Sequence, residues 1–245
     1  MKSKDKTTQK KVADSLLSSK SSFSVQEAYK TLRTNVMFSL PGSGCKCIGI
    51  TSPNRGEGKS TISINLAISL AQLKKKVVLI DCDLRLPTIV SKLNLNTQDG
   101  LSNYLSGMID MLPMVRYEKY GIDIVPSGII PPDATALIDS KEMLEILKTL
   151  RNSYDYVFLD FPPINIVSDA VLLSDVIDGY LIVVRDGVTE YQQINEALRQ
   201  MNFSDSKIIG FVYNGKGELK KYYKKGYKYS KYYKNNHYYY KRPEQ

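Results

Sequence analysis

Six short, mostly apolar runs rich in β-branched residues punctuate the chain: KCIGIT (46–51), VVLID (77–81), IDIV (122–125), YVFLD (156–160), YLIVV (180–184) and IIGFVY (208–213). Runs this continuous predict strands buried on both faces. Segments with helical character lie between them, at about 59–73, 140–152, 168–176 and 189–202. One more helix is predicted before the first strand, at about 25–39, with SVQE (Ser24 to Glu27) as a capping box at its start. Strand alternating with helix predicts an α/β fold, a mostly parallel central sheet flanked by helices on both faces. Right-handed crossovers bring the ligand-bearing carboxyl ends of such strands to one edge. Residues 1–22 and 216–245 are polar, charged and poor in aliphatics. Both are expected to be mobile tails around one folded domain, 23–215.

Charge sharpens that division. Lys216–Gln245 holds ten basic and two acidic residues, a net +8 out of the chain's formal +9, so the body is close to neutral. Total charge therefore describes the tail and not the domain. The three cysteines, Cys45, Cys47 and Cys82, are too few and too odd in number for a disulfide framework, and a metal at C-K-C would need more ligands. They are expected to be small packing residues. His237, the single histidine, lies in the tail, which argues against Ser-His-Asp or Cys-His catalysis. No run approaches the ~20 apolar residues of a membrane span, and the amino-terminal stretch lacks the apolar core of a signal peptide. A cytoplasmic location is expected, with any membrane attachment supplied by another protein.

The first strand runs straight into TSPNRGEGKST (51–61) and then a helix. Strand, glycine-rich turn, Gly-Lys-Ser/Thr and helix is the order that a P-loop requires. Gly56 and Gly58 let backbone amides curl around phosphate oxygens, and the helix amino terminus adds positive potential. Lys59 can reach the β and γ phosphates, Ser60 offers a hydroxyl to Mg²⁺, and Thr61 a contact to a distal phosphate oxygen. The expected nucleotide-binding set is Gly56, Glu57, Gly58, Lys59, Ser60 and Thr61; Asn214, after the last strand, resembles the asparagine that reads adenine in related ATPases and could equally be a turn residue. The usual first glycine of the loop is Pro53 here. Asp81 and Asp83 end the second strand on the same side, and Asp160 ends the YVFLD run in a Walker B pattern. Three aspartates at strand ends beside a P-loop are better explained by magnesium than by turn formation. The expected metal set is Ser60, Asp81 and Asp160.

These motifs, with VPSGIIPPDATALIDS (125–140) and the tail, resemble the bacterial tyrosine kinases of capsular and exopolysaccharide synthesis, the BY-kinases, in their separately made cytoplasmic form. The resemblance covers about residues 24–240. It implies a P-loop NTPase fold and an ATP- and Mg²⁺-dependent tyrosine autokinase. Lys59, Asp81, Asp83, Asp160 and Arg85 would be its catalytic residues. Asp83 would position or deprotonate the attacking hydroxyl, and Arg85 would contact phosphate or pair with a carboxylate. The resemblance further implies a transmembrane polysaccharide co-polymerase as activator, recruitment to the inner face of the plasma membrane, a homo-oligomeric ring, a cognate phosphotyrosine phosphatase and room for other protein substrates. The family's E-x-x-R-x-x-R oligomer motif reads here as Glu27, Lys30 and Arg33, with lysine at the first arginine position. Arg55 stands where these kinases often have proline.

The tail then acquires a purpose. Tyr222, Tyr223, Tyr227, Tyr229, Tyr232, Tyr233, Tyr238, Tyr239 and Tyr240 are nine of the 18 tyrosines, in a solvated segment from which a hydroxyl can be delivered to an active site. Extended at ~3.3 Å per residue, about 30 residues reach roughly 100 Å, enough for a neighbouring subunit. Two other classes compete. A nucleotide switch like the partition and division-site ATPases shares the fold but usually carries an extra lysine early in the loop, where SPNR has none. A module binding nucleic acid or an anionic membrane through interleaved Lys and Tyr would leave the P-loop unexplained. Nucleic acid is not expected as the main partner.

Overall fold

The computed structural model describes residues 15–215. Helix α1 (Phe23–Ser39) precedes strand β1 (Lys46–Thr51), followed by α2 (Lys59–Ala71), β2 (Val77–Asp81), α3 (Ile89–Leu93) and α4 (Leu101–Leu105). Then come β3 (Val115–Tyr117), β4 (Ile122–Val125), α5 (Ala134–Ile138), α6 (Lys141–Ser153), β5 (Tyr156–Asp160), β6 (Gly179–Arg185), α7 (Tyr191–Phe203) and β7 (Ile208–Asn214). The strands form one seven-stranded sheet in the order β3-β4-β2-β5-β1-β6-β7, parallel except for the β3–β4 pair. This is the expected α/β architecture.

Alternate residues of each central strand feed two cores. Val77, Leu79 and Phe158 pack with Ile62, Leu66 and Ile68 of α2 on one face. Val78, Ile80, Val157 and Leu159 share the other face with Met143, Ile146, Leu147 and Leu150 of α6. The spacing of those four α6 residues gives that helix a single apolar stripe, and Ser140 caps it by accepting from the Met143 amide. α2 is different: Lys59, Ser60 and Ile62 to Leu70 are all buried, so it is enclosed on every side.

The six apolar runs all form strands, with ends within one residue of those expected. Elsewhere the structure departs. The helix expected at 168–176 is two separate 3-10 turns, Asp169–Val171 and Ser174–Val176, closed by bonds from Val171 to Ser168 and from Val176 to Leu173. The capping box does not form. The cap of α1 is Ser22, which accepts from the Val25 amide, while Glu27 pairs with Lys30 one turn along. Residues 15–22, expected within a mobile tail, are placed against the domain. Leu16 and Leu17 are buried, and Asn65 of α2 accepts from the Leu17 amide at 2.7 Å and donates to the Ser15 carbonyl at 3.0 Å. β3, α3, α4 and α5 were not anticipated; three to five residues are too few to display a period.

The sheet order decides where ligands bind. The chain leaves β1 for β2 two places away, returns to β5 between them, and then crosses to β6 on the far side of β1. That reversal opens a crevice beyond the carboxyl ends of β1 and β5. Parallel registration places Asp81 directly beside Asp160, and Asp160 beside Ile50 just before the P-loop.

Candidate functional site

The loop leaving β1 is held open by its own polar groups. Glu57 is buried, with one carboxylate oxygen accepting from the Asn54 amide at 2.9 Å and the other from Thr189 Oγ1 at 2.6 Å. Ser52 Oγ donates to the Asn54 carbonyl and Arg185 to the Gly56 carbonyl. The Pro53 carbonyl accepts from the Asn165 amide, which ties the loop to the segment after β5. Gly58 takes φ +95° at the mouth of α2, and a Cβ there would lie 2.2 Å from Asn214 Nδ2. Both facts require glycine. Asn214 Nδ2 donates to the Glu57 carbonyl at 2.7 Å. Two of the residues expected to touch nucleotide, Glu57 and Asn214, therefore use their side chains to brace the loop.

Beyond the loop lies a cavity of about 410 Å³, lined by Lys59, Ser60, Thr61, Asp83, Arg85 and Lys92 among others. Lys59 Nζ is 2.8 Å from Asp83 Oδ2 and 3.7 Å from Asp160 Oδ2. Burial works to lower the Lys59 pKa, but Asp160 and Asp83 together outweigh it and raise the pKa, so the ammonium stays charged. Asp160 Oδ1 accepts from Ser63 at 3.0 Å, while its Oδ2 is buried with no hydrogen-bond partner among the described residues. Asp81 is fully buried and spends both oxygens on backbone amides, those of Asp83 and Ile89. Burial, and then the neighbouring Asp160, push the Asp81 pKa well above the ordinary carboxylate range.

The oxygen donors suit Mg²⁺. Ser60 and the Asp160 oxygen that accepts no hydrogen bond are hard ligands, and magnesium normally takes only one or two carboxylates beside phosphates and water. Among the described residues no cluster of three or more His, Cys, Asp or Glu is arranged to hold a metal. Asp81 reaches this region with its oxygens already occupied by the backbone.

Arg85 lines the cavity and forms a carboxylate pair. Its Nε donates to Asp169 Oδ2 at 3.2 Å and its Nη2 to Thr135 Oγ1 at 2.7 Å, and Asp169 is fully buried. Arg33 donates to the Ser69 carbonyl at 2.8 Å, tying α1 to α2, while Glu27 and Lys30 form an exposed pair on α1. Cys47 and Cys82 are buried and Cys45 half-buried, and all three are free thiols. The nine tail tyrosines and His237 lie outside the described residues. Sequence reasoning missed Ser63, Thr189 and Lys92. Ser63 had a faint signal, one helical turn beyond Lys59; the others had none.

A family model described as an AAA domain matches residues 45–207. The Bacillus subtilis tyrosine-protein kinase YwqD is 40% identical over 203 residues, covering 82% of this chain and 85% of that protein. The Streptococcus agalactiae tyrosine-protein kinase CpsD is 37% identical over 191 residues, covering 77% and 82%. The kinase domain of the Escherichia coli tyrosine kinase ETK superimposes with a TM-score of 0.75 at 29% identity, over 78% of this chain and 75% of that one. Carboxyl-edge aspartates around a P-loop lysine, on the fold these enzymes share and at this level of identity, lead to one assignment: the chain belongs to the bacterial tyrosine-protein kinases.

Proposed function

We propose that this kinase phosphorylates the tyrosines of its own carboxyl-terminal tail, Tyr222 to Tyr240, from Mg·ATP, one subunit acting on the next. The observation that carries the proposal is the position of Lys59, set between Asp83 and Asp160 at the start of the helix that follows the P-loop. The amides of residues 56–61 and the amino terminus of α2 take the phosphates. Lys59 moves from Asp83 towards the phosphate oxygens, and this frees a carboxylate at the place where a hydroxyl must arrive. Asp83 then orients the phenol and accepts its proton as the oxygen attacks the γ-phosphorus. The bond from that phosphorus to the bridging oxygen breaks, and its electron pair leaves with ADP. Ser60 and Asp160 would hold Mg²⁺, with Asp81 beside them, and the ion would supply neutralisation of charge on the phosphates. Positioning and electrostatics supply the rate.

The tail's charge gives the consequence. Each phosphate adds about −1.5 to −2, so about five cancel the tail's excess of positive charge and nine reverse it. Subunits held by that charge then separate. Glu27, Lys30 and Arg33 lie on the helix that would face a neighbour in such a ring, and Arg33 already ties that helix down. Among the described residues no helix is long and apolar enough to cross a membrane. A transmembrane co-polymerase would therefore recruit and activate the kinase at the inner membrane face, a phosphatase would reset it, and the cycle would regulate capsular or exopolysaccharide synthesis.

Phosphopeptide mapping after incubation with Mg·ATP tests the reading, with and without the cytoplasmic segment of a candidate activator, beside Lys59→Met and Asp83→Asn. Phosphate on Tyr222–Tyr240, absent from both variants, is the expected result. ATP binding without any phosphotyrosine under either condition would overturn it in favour of a nucleotide switch.

A further inference from the structure

We infer that Lys92 is a second catalytic cation of this site, meeting the phosphoryl group in transfer from the α3 wall of the cavity while Lys59 meets it from the P-loop. The inference rests on reading the cavity as the ATP site, and adds to it a residue that no motif marked. Lys92 and Thr88 both line the cavity together with Lys59, Ser60 and Asp83. Thr88 caps α3, and the Lys92 amide donates to its carbonyl at 3.0 Å. The two side chains stand one turn apart and share a face.

Each of them lacks a partner. Thr88 Oγ1 is buried and makes no hydrogen bond among the described residues. Lys92 is half-buried and forms no ion pair among them, whereas Lys59 has two carboxylates within 4 Å. Burial lowers the Lys92 pKa first, and it also lies within the fields of Asp160 and Lys59. A partly desolvated ammonium without a counterion is costly, and an anion entering the cavity offsets that cost. Of the two arginines that also line the cavity, Arg85 is committed to Asp169, and Arg55 stands on the exposed P-loop turn.

The chemistry needs such a group. As the tyrosine oxygen bonds to the γ-phosphorus and the bond to the bridging oxygen breaks, charge spreads over the three remaining oxygens of the phosphoryl group. Lys92 and Thr88 donate hydrogen bonds to those oxygens, and the phenolic proton still passes to Asp83. ADP carries none of these oxygens, so both residues discriminate the triphosphate from the diphosphate.

Titration calorimetry on the full chain with Mg·ADP and Mg·AMPPNP tests this, using Lys92→Met, Lys92→Arg and Thr88→Val, with phosphotransfer measured at saturating ATP. Lys92→Met is expected to hold ADP within about twofold and to lose about tenfold or more in AMPPNP affinity, the value of a charge-assisted hydrogen bond. Its turnover falls with it, and Lys92→Arg recovers part of both. Thr88→Val shows a smaller loss in the same direction. Equal losses for both nucleotides, or none for either with turnover unchanged, would overturn the assignment. If the unsubstituted chain binds neither nucleotide, the ATP-site reading itself fails and Lys92 falls with it. Unchanged AMPPNP affinity in Lys92→Met, with ADP still bound, removes Lys92 alone.

Discussion

Gly58→Ala probes how the P-loop is built. The residue sits at φ +95°, where an L side chain costs about 1–2 kcal/mol. The new Cβ would also stand 2.2 Å from Asn214 Nδ2, closer than atoms can pack. Asn214 must swing away and lose its 2.7 Å bond to the Glu57 carbonyl, for about 0.5–1.5 kcal/mol more. The total, roughly 2–3 kcal/mol, corresponds to about 5–10 °C in melting temperature for a domain of this size. Asn214→Ala alone should cost about 1 kcal/mol. The double variant should cost less than the sum, by about 1 kcal/mol, because the one Asn214–Glu57 bond lost in each single variant is lost only once. Denaturant unfolding without nucleotide reads all four proteins, and binding of ADP should weaken in Gly58→Ala. A Gly58→Ala protein that melts within about a degree of the parent, or costs that simply add, would refute the coupling of loop and β7.

Two further outcomes follow from the same geometry. Burial raises the Asp81 pKa in the folded chain, so its ionisation opposes folding: stability is full below the unfolded value of 3.8 and is lost as pH rises towards the folded one. Asp81→Asn should therefore be more favourable to stability at pH 8 than at pH 5 in metal-free, nucleotide-free protein; the difference between the two pH values cancels the constant loss of one acceptor, and no difference would refute the burial argument. Arg85→Ala leaves Asp169 fully buried with only Thr135 as a partner, and should cost about 2–3 kcal/mol without nucleotide, with Asp169→Asn added to it restoring much of the loss. A residue that only contacted phosphate would leave that stability unchanged.

What could be read in advance follows physical lines. Parallel strands buried on both faces announce themselves, because every residue in VVLID or YVFLD must be apolar up to the final aspartate. The P-loop is local chemistry in eleven consecutive residues. The pairings that set Arg85 against Asp169 and Arg33 against Ser69 span 84 and 36 residues, and nothing in either segment marks its partner. Lys92 was illegible for the same reason, since only the fold brings α3 to the cavity. Ser15 to Leu17 read as tail because the stretch 1–22 around them is short of aliphatics, yet two leucines and the buried Asn65 suffice to dock them. The 168–176 segment misled because its apolar residues fit a helix while Asp169 is drawn to Arg85 and Thr135.

The central claim, transfer to the tail of another subunit, is tested most directly by mixing two chains with Mg·ATP under the conditions that give tail phosphorylation. One carries Lys59→Met with all its tail tyrosines; the other keeps Lys59 but has Phe at Tyr222, Tyr223, Tyr227, Tyr229, Tyr232, Tyr233, Tyr238, Tyr239 and Tyr240. The account predicts phosphate on the tail of the Lys59→Met chain, which cannot place it there itself. An unmodified Lys59→Met tail, beside a parent chain that phosphorylates its own, would contradict it.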